Sequence, residues 1–222
     1  MKTILPIFLV SFFGGSNSFA NTLDQLRSSC ELEDPVACFE FANKVQELEL
    51  SELYSEAENA LNKSCELNHP VGCYAAFYAC NGKIFNEKPS KEQTFYYGKK
   101  ACELNISDAC LGLGLLYSEI KDFKNTEEYY KKACNLDSGR GCAFFASYVL
   151  EQKQDYKEFE KYAYKGCKLH DSTACLLLSN SKKIGLLDKP DMVESVLYLK
   201  EACKFDNDKI YTEECKVLEG LN

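Results

Sequence analysis

The chain has 222 residues, 45% of them hydrophobic and 27% charged, with a formal net charge of −8. That balance describes a folded, soluble protein, either one ordinary domain or a short repeat array. An acidic surface repels phosphate backbones and anionic lipid head groups, so nucleic-acid binding and electrostatic membrane docking are disfavoured and a cationic partner is favoured.

At the N-terminus, Met1-Lys2 precedes an apolar run from Ile4 to Phe13, followed by Gly14-Gly15-Ser16-Asn17 and Ser18-Phe19-Ala20. A basic start, a short apolar stretch and a small-x-small ending are the parts of a secretory leader, expected to span residues 1–20 and to be removed. The run is too short for a membrane span, and no later stretch approaches about 18 consecutive apolar residues. Without Lys2 the mature chain, residues 21–222, carries a net charge of −9. The first cysteine, Cys30, lies well beyond the cleavage point, which argues against a lipid anchor.

Five cysteine pairs then follow at a constant separation of eight: Cys30 and Cys38, Cys65 and Cys73, Cys102 and Cys110, Cys134 and Cys142, Cys167 and Cys175. The second members recur at steps of 35, 37, 32 and 33 residues, which is an internal repeat. Each unit opens with a helix of small and apolar residues, such as Cys142-Ala-Phe-Phe-Ala-Ser-Tyr-Val-Leu. It passes a polar turn, such as Gln152-Lys153-Gln154-Asp155, and ends in a second helix closed by the next cysteine. Five positions before that cysteine stands Tyr97, Tyr129, Tyr162 or Tyr198, with Ala60 as the exception. Two positions before it stands Lys63, Lys100, Lys132 or Lys165, with Glu201 as the exception. The lysine falls in the last helical turn, where a cation suits the helix dipole, and the tyrosine row is expected to pack in the core.

The pattern frays at both ends. Residues 22–30 read as the second helix of a truncated first unit, and residues 204–222 widen the last pair to Cys203 and Cys215, so both ends are expected to be caps. Lys88-Pro89-Ser90 and Lys189-Pro190-Asp191 are expected to be the turns inside the second and fifth hairpins. A period of 32–37 residues built from paired antiparallel helices predicts an all-α protein, an α-solenoid of about five helix pairs.

Thirteen cysteines in an exported chain predict a disulfide framework. Metal is disfavoured, because there is no Cys-x-x-Cys and the only histidines are His69 and His170, both expected in exposed inter-repeat turns. Bridges across the turn between repeats would all span eight positions, whereas bridges across one hairpin would span 27, 29, 24, 25 and 28. Only the constant interval closes a ring of fixed geometry. The expected bonds are therefore Cys30–Cys38, Cys65–Cys73, Cys102–Cys110, Cys134–Cys142, Cys167–Cys175 and Cys203–Cys215. Cys80 is left over. It occupies the position of Val45, Tyr117 and Val149 in other repeats, so a buried thiol is expected. A nine-residue ring stabilises by roughly 2.5 kcal/mol on the chain-entropy model, so the array should depend on oxidation.

Leu113-Gly114-Leu115-Leu116-Tyr117, followed by Glu128-Tyr129-Tyr130-Lys131-Lys132-Ala133-Cys134-Asn135-Leu136, resembles a Sel1-like repeat in its cysteine-containing form. With the leader and the eight-residue spacing, the mature chain resembles the Helicobacter cysteine-rich protein family. The glycine-rich turn usual in that family between the two helices is missing from the third and fourth repeats, and remnants such as Asn81-Gly82-Lys83 stand elsewhere. The resemblance implies a secreted or periplasmic protein that binds penicillin and hydrolyses β-lactams slowly.

A serine β-lactamase uses Ser-x-x-Lys with Ser-Asp-Asn-like and Lys-Thr-Gly elements. Only the first occurs here, at Ser118-Glu119-Ile120-Lys121 and Ser179-Asn180-Ser181-Lys182, so Ser118, Lys121, Ser179 and Lys182 are the catalytic candidates. Gly112-Leu113-Gly114 lies in a helix and follows no strand, so it is no nucleotide loop. Two functions therefore stand as expectations. One is binding of a β-lactam or peptidoglycan-like ligand with weak hydrolysis. The other is a non-enzymatic scaffold that holds a protein or peptide on the face built by the first helices. Neither calls for a cofactor, and a monomer is expected.

Overall fold

The computed structural model describes residues 14–82, 90–186, 188–206 and 212–219. Helices run in the order α1 (Gly14–Glu31), α2 (Pro35–Glu47), α3 (Tyr54–Glu66), α4 (Pro70–Gly82), α5 (Lys91–Glu103) and α6 (Ser107–Glu119). They continue with α7 (Phe123–Asn135), α8 (Gly139–Tyr148), α9 (Tyr156–Lys168), α10 (Ser172–Ile184), α11 (Met192–Phe205) and α12 (Thr212–Glu219). No strand occurs among the described residues, and the chain is an all-α solenoid of antiparallel helix pairs. Most of the expected leader, residues 1–13, lies outside the described residues, while residues 14–20 form the start of α1. Lys83, Lys88 and Pro89, from two of the expected turns, also lie outside them.

The chain divides into two compact units, residues 1–100 and 101–222. In the first, α2 packs on α1 and α3, α3 packs on α4, and the first helices α2 and α4 touch each other. In the second, α6 pairs with α7, α8 with α9 and α10 with α11. Successive hairpins join through α7–α8 and α9–α10, and α6, α8 and α10 stack as a row of first helices.

The eight-residue cysteine interval follows from one backbone device. Three residues after each first cysteine the chain enters the left-handed region, at Glu33, Asn68, Asn105, Asp137 and His170, with φ between 58° and 67°. That residue's N–H returns to the cysteine carbonyl, and the next N–H reaches the carbonyl before the cysteine, as in Asn105 to Cys102 (3.1 Å) and Ile106 to Ala101 (3.0 Å). This is a Schellman stop, which uses the last orphan carbonyls of one helix. The following residue is already the N-cap of the next helix. Asp34, Ser138 and Asp171 accept from N–H groups two or three residues on. Stop and start share so few residues that the second cysteine returns beside the first.

Disulfides close these joints at Cys30–Cys38, Cys65–Cys73, Cys102–Cys110, Cys134–Cys142 and Cys167–Cys175, with Cα–Cα distances of 4.2 to 4.7 Å. A sixth, Cys203–Cys215, ties α11 to α12 at 5.6 Å. Helices this close leave room only for small neighbours. A Cβ added at Gly141 would lie 2.7 Å from that of Ala133, across the Cys134–Cys142 joint. Phe41 in the first unit, and Leu113, Phe145, Phe159 and Leu178 in the second, fill the space between hairpins and are fully buried.

His69 departs from the expected exposed loop position. It is half-buried as the N-cap of α4, where Nδ1 accepts from Gly72 N–H at 3.2 Å, and its ring centroid lies 5.6 Å from that of Phe39. His170 is exposed in the left-handed position of its joint, with its ring 4.4 Å from that of Phe205.

Candidate functional site

The two Ser-x-x-Lys stretches sit in different surroundings. Ser179 is 3% exposed on α10; its hydroxyl donates to the Ser195 carbonyl at 2.9 Å and lies 3.2 Å from Ser195 Oγ on α11. Lys182, one turn on, pairs with Glu160 of α9 at 3.0 Å and Glu194 of α11 at 3.1 Å. Hydrogen bonds to Glu160 and then Glu194 hold this ammonium well above the usual lysine range, so it keeps its proton. A general base must be able to lose that proton. What 179–182 builds is a polar pin across three helices.

Ser118 lies exposed at the end of α6. Lys121 is exposed in the turn after α6, with φ 59°. Its N–H reaches back to the Ser118 carbonyl at 3.0 Å, so the residues meet through the backbone of a Schellman stop.

Cys80 is buried, and burial pushes its thiol up to about 11, with a smaller contribution from Glu58. At neutral pH it carries little thiolate, the form that reacts. In the tyrosine row Tyr97 and Tyr162 are buried, while Tyr129 and Tyr198 are half-buried. Tyr162 meets Phe145 edge-on at 4.5 Å, and Tyr129 stacks on Tyr117 at 5.4 Å. Burial pushes the hydroxyls of Tyr97 and Tyr129 up to about 12.

The side chains that offer themselves to a ligand stand elsewhere. In the first unit α2 and α4, with Leu61 of α3 beneath, enclose a mainly apolar groove of about 250 Å³. Phe39, Asn43 and Gln46 line it from α2, and Val71, Tyr74 and Tyr78 line it from α4. Tyr78 is 59% exposed and Val71 44%, on a helix whose other apolar positions are largely core. Periodicity points to the first-helix face but to none of these residues, because it marks which positions are apolar and not which are left uncovered. Along the first helices of the second unit the aromatics serve their own fold. Arg140 lies over Phe144 at 5.9 Å, and the Tyr148 hydroxyl donates to the Phe123 carbonyl at 2.9 Å.

A second groove in the first unit, between α1 and α3, contains Arg27. Its guanidinium is held by Glu56 and by Asp24 and lies 5.3 Å from the centre of the Phe41 ring, so its charge is already answered. No helix among the described residues is long and apolar enough to cross a membrane.

No protein-family model matches the chain, and no curated protein sequence matches it. Solved structures do. A Sel1 repeat protein from Oxalobacter formigenes superposes with a TM-score of 0.67 at 19% identity, covering 93% of this chain and 83% of that one. A protective antigen of uropathogenic Escherichia coli, described as having the SLR fold, gives 0.66 at 14% identity, covering 82% of this chain and 41% of the antigen. An immunity protein from Pseudomonas aeruginosa gives 0.52 at 18% identity, over 85% and 75% of the two chains. At these identities the likeness establishes the fold: a Sel1-like repeat solenoid.

Proposed function

We propose that the chain is an exported, oxidised Sel1-like repeat scaffold that binds a peptide or a segment of another protein on the first-helix face. The observation that carries this reading is the groove between α2 and α4. There Val71 and Tyr78 stand exposed beside half-buried Phe39 on a stapled frame, while Ser179 and Lys182 are both engaged in holding helices together. A preordered surface costs little ordering entropy on binding, and disulfides supply that order. Six disulfides fit an oxidising compartment, and export through a leader removed after Ala20 predicts a mature protein that begins at Asn21.

The test is selection of random displayed peptides on the oxidised protein, run beside hydrolysis of a chromogenic cephalosporin. Reproducible enrichment of one peptide class, with no turnover above buffer, is the expected result. Turnover that disappears in Ser118→Ala or Ser179→Ala would instead establish the β-lactam hydrolase implied by the family resemblance and overturn the scaffold.

A further inference from the structure

The charge of this protein is unevenly placed. Residues 21–82 hold 11 acidic side chains against three basic ones, Arg27, Lys44 and Lys63, whereas residues 83–222 hold 23 against 22. The stretch from α1 to α4, which encloses the apolar groove, therefore carries a net charge of −8, while the rest of the first unit, residues 83–100, adds five lysines against two glutamates. The three cations there are all engaged. Arg27 is held by Asp24 and Glu56, Lys44 pairs with Glu47 at 3.0 Å, and Lys63 Nζ donates to the Glu31 carbonyl at 3.2 Å.

The surplus reaches the rim of the groove. The helix α4 carries no charged residue, so the rim charges come from α2. Glu40 follows Phe39 and Glu47 follows Gln46, and both are exposed; Asn43 Nδ2 donates to Glu47 Oε1 at 3.2 Å between them and Lys44 pairs with Glu47 Oε2, so a peptide cation at Glu47 shares that carboxylate with Lys44. Glu40 and Glu47 are seven residues apart on one helix, hence about 10 Å along its axis. An extended peptide covers that span in about three residues. The groove's volume of about 250 Å³ lies below the roughly 300–1,000 Å³ of small-molecule sites and suits one large side chain.

We propose that the α2–α4 groove binds a basic peptide segment, seating one aromatic or large aliphatic side chain between Phe39 and Tyr78 while flanking lysines or arginines meet Glu40 and Glu47. The assignment rests on the scaffold reading above and adds the site and the chemistry of the partner. Opposite charge gathers and orients the segment, and burial of the apolar anchor holds it.

The probes are three fluorescently labelled seven-residue peptides: Gly-Lys-Lys-Phe-Lys-Lys-Gly, the same peptide with Ala for Phe, and one with Glu for every Lys. Fluorescence anisotropy with the oxidised protein is expected to show binding of the first alone, weakening as salt rises past the screening range. The double substitution Glu40→Gln with Glu47→Gln, on exposed positions that leave the fold intact, is expected to weaken binding about three- to tenfold. Tyr78→Ala, also exposed, is expected to weaken it by a similar factor without changing the helical circular dichroism.

Equal binding of the acidic peptide, or indifference to all three substitutions, overturns this assignment. Displayed peptides that bind the protein but ignore these substitutions overturn it as well, and leave the scaffold reading standing. A selection that enriches no peptide at all removes both.

Discussion

Lys63 Nζ donates to the backbone carbonyl of Glu31, 32 residues earlier, at 3.2 Å, and so ties the end of α3 to the end of α1. Lys100 repeats the contact on Glu66 at 3.2 Å, and Lys165 repeats it on Cys134 at 2.8 Å, where it also pairs with Asp137 at 2.9 Å. The repeated lysine thus caps the second helix of the preceding repeat, and the dipole it answers belongs to its neighbour. Lys165→Met is therefore expected to lower stability by about 0.5–1.5 kcal/mol, once solvent screening of a part-exposed ammonium is allowed for. Urea unfolding checks this, and an unchanged midpoint would show that the ladder is incidental.

The turns inside the hairpins lead to a second expectation. Lys121 and Gln154 hold φ of 59° and 54° where Gly185 holds 69° in the last hairpin. A side chain in the left-handed region costs roughly 1–2 kcal/mol, part of which glycine returns as unfolded-state entropy. Lys121→Gly and Gln154→Gly are each expected to stabilise by about 0.5–1 kcal/mol, while alanine at either position gives no gain. Thermal melting of the four single variants separates backbone relief from loss of the side chain.

Repeat length, helix pairing and the cysteine pattern were legible because period-3.6 apolar stripes and a fixed cysteine spacing are one-dimensional signals. The left-handed residues were not, since Glu33, Lys121 and Gln154 carry no turn signature and the Schellman geometry is set by packing at the joint. Ser179 and Lys182 matched a catalytic spacing, yet their partners Glu160, Glu194 and Ser195 come from other helices. Tyr78 looked like any repeat aromatic, and only its exposure sets it apart.

Tyr97 and Tyr129 give the pH dependence. Burial raises both hydroxyls from 10.0 to about 12, so the folded state keeps them protonated where the unfolded chain would ionise. Their contribution is fully present below pH 10 and is lost as pH rises through about 12. Melting temperature is expected to fall in that window, and Tyr97→Phe with Tyr129→Phe to flatten the fall. Ultraviolet titration of tyrosinate follows the same groups directly, and ordinary ionisation near pH 10 would count against burial as the cause.

The disulfides differ in access, and access orders their reduction. The Cys65–Cys73, Cys102–Cys110 and Cys134–Cys142 cysteines are all 0% exposed, whereas Cys203 and Cys215 are half-buried on the terminal pair α11 and α12. A thiolate reductant must reach a sulfur atom, so limited reduction followed by alkylation should label Cys203 and Cys215 first. Removing that bond by Cys203→Ala with Cys215→Ala should release α12 and leave the main transition in place, because few contacts depend on a terminal helix. Replacing the fully buried pair, Cys102→Ala with Cys110→Ala, opens the nine-residue ring between α5 and α6 and is expected to lower the main transition by roughly 2.5 kcal/mol. Mass spectrometry of the alkylated peptides and urea unfolding of the two variants decide the matter. Simultaneous labelling of all six pairs, or unchanged melting and circular dichroism in excess reductant, would show that the helices hold without their staples.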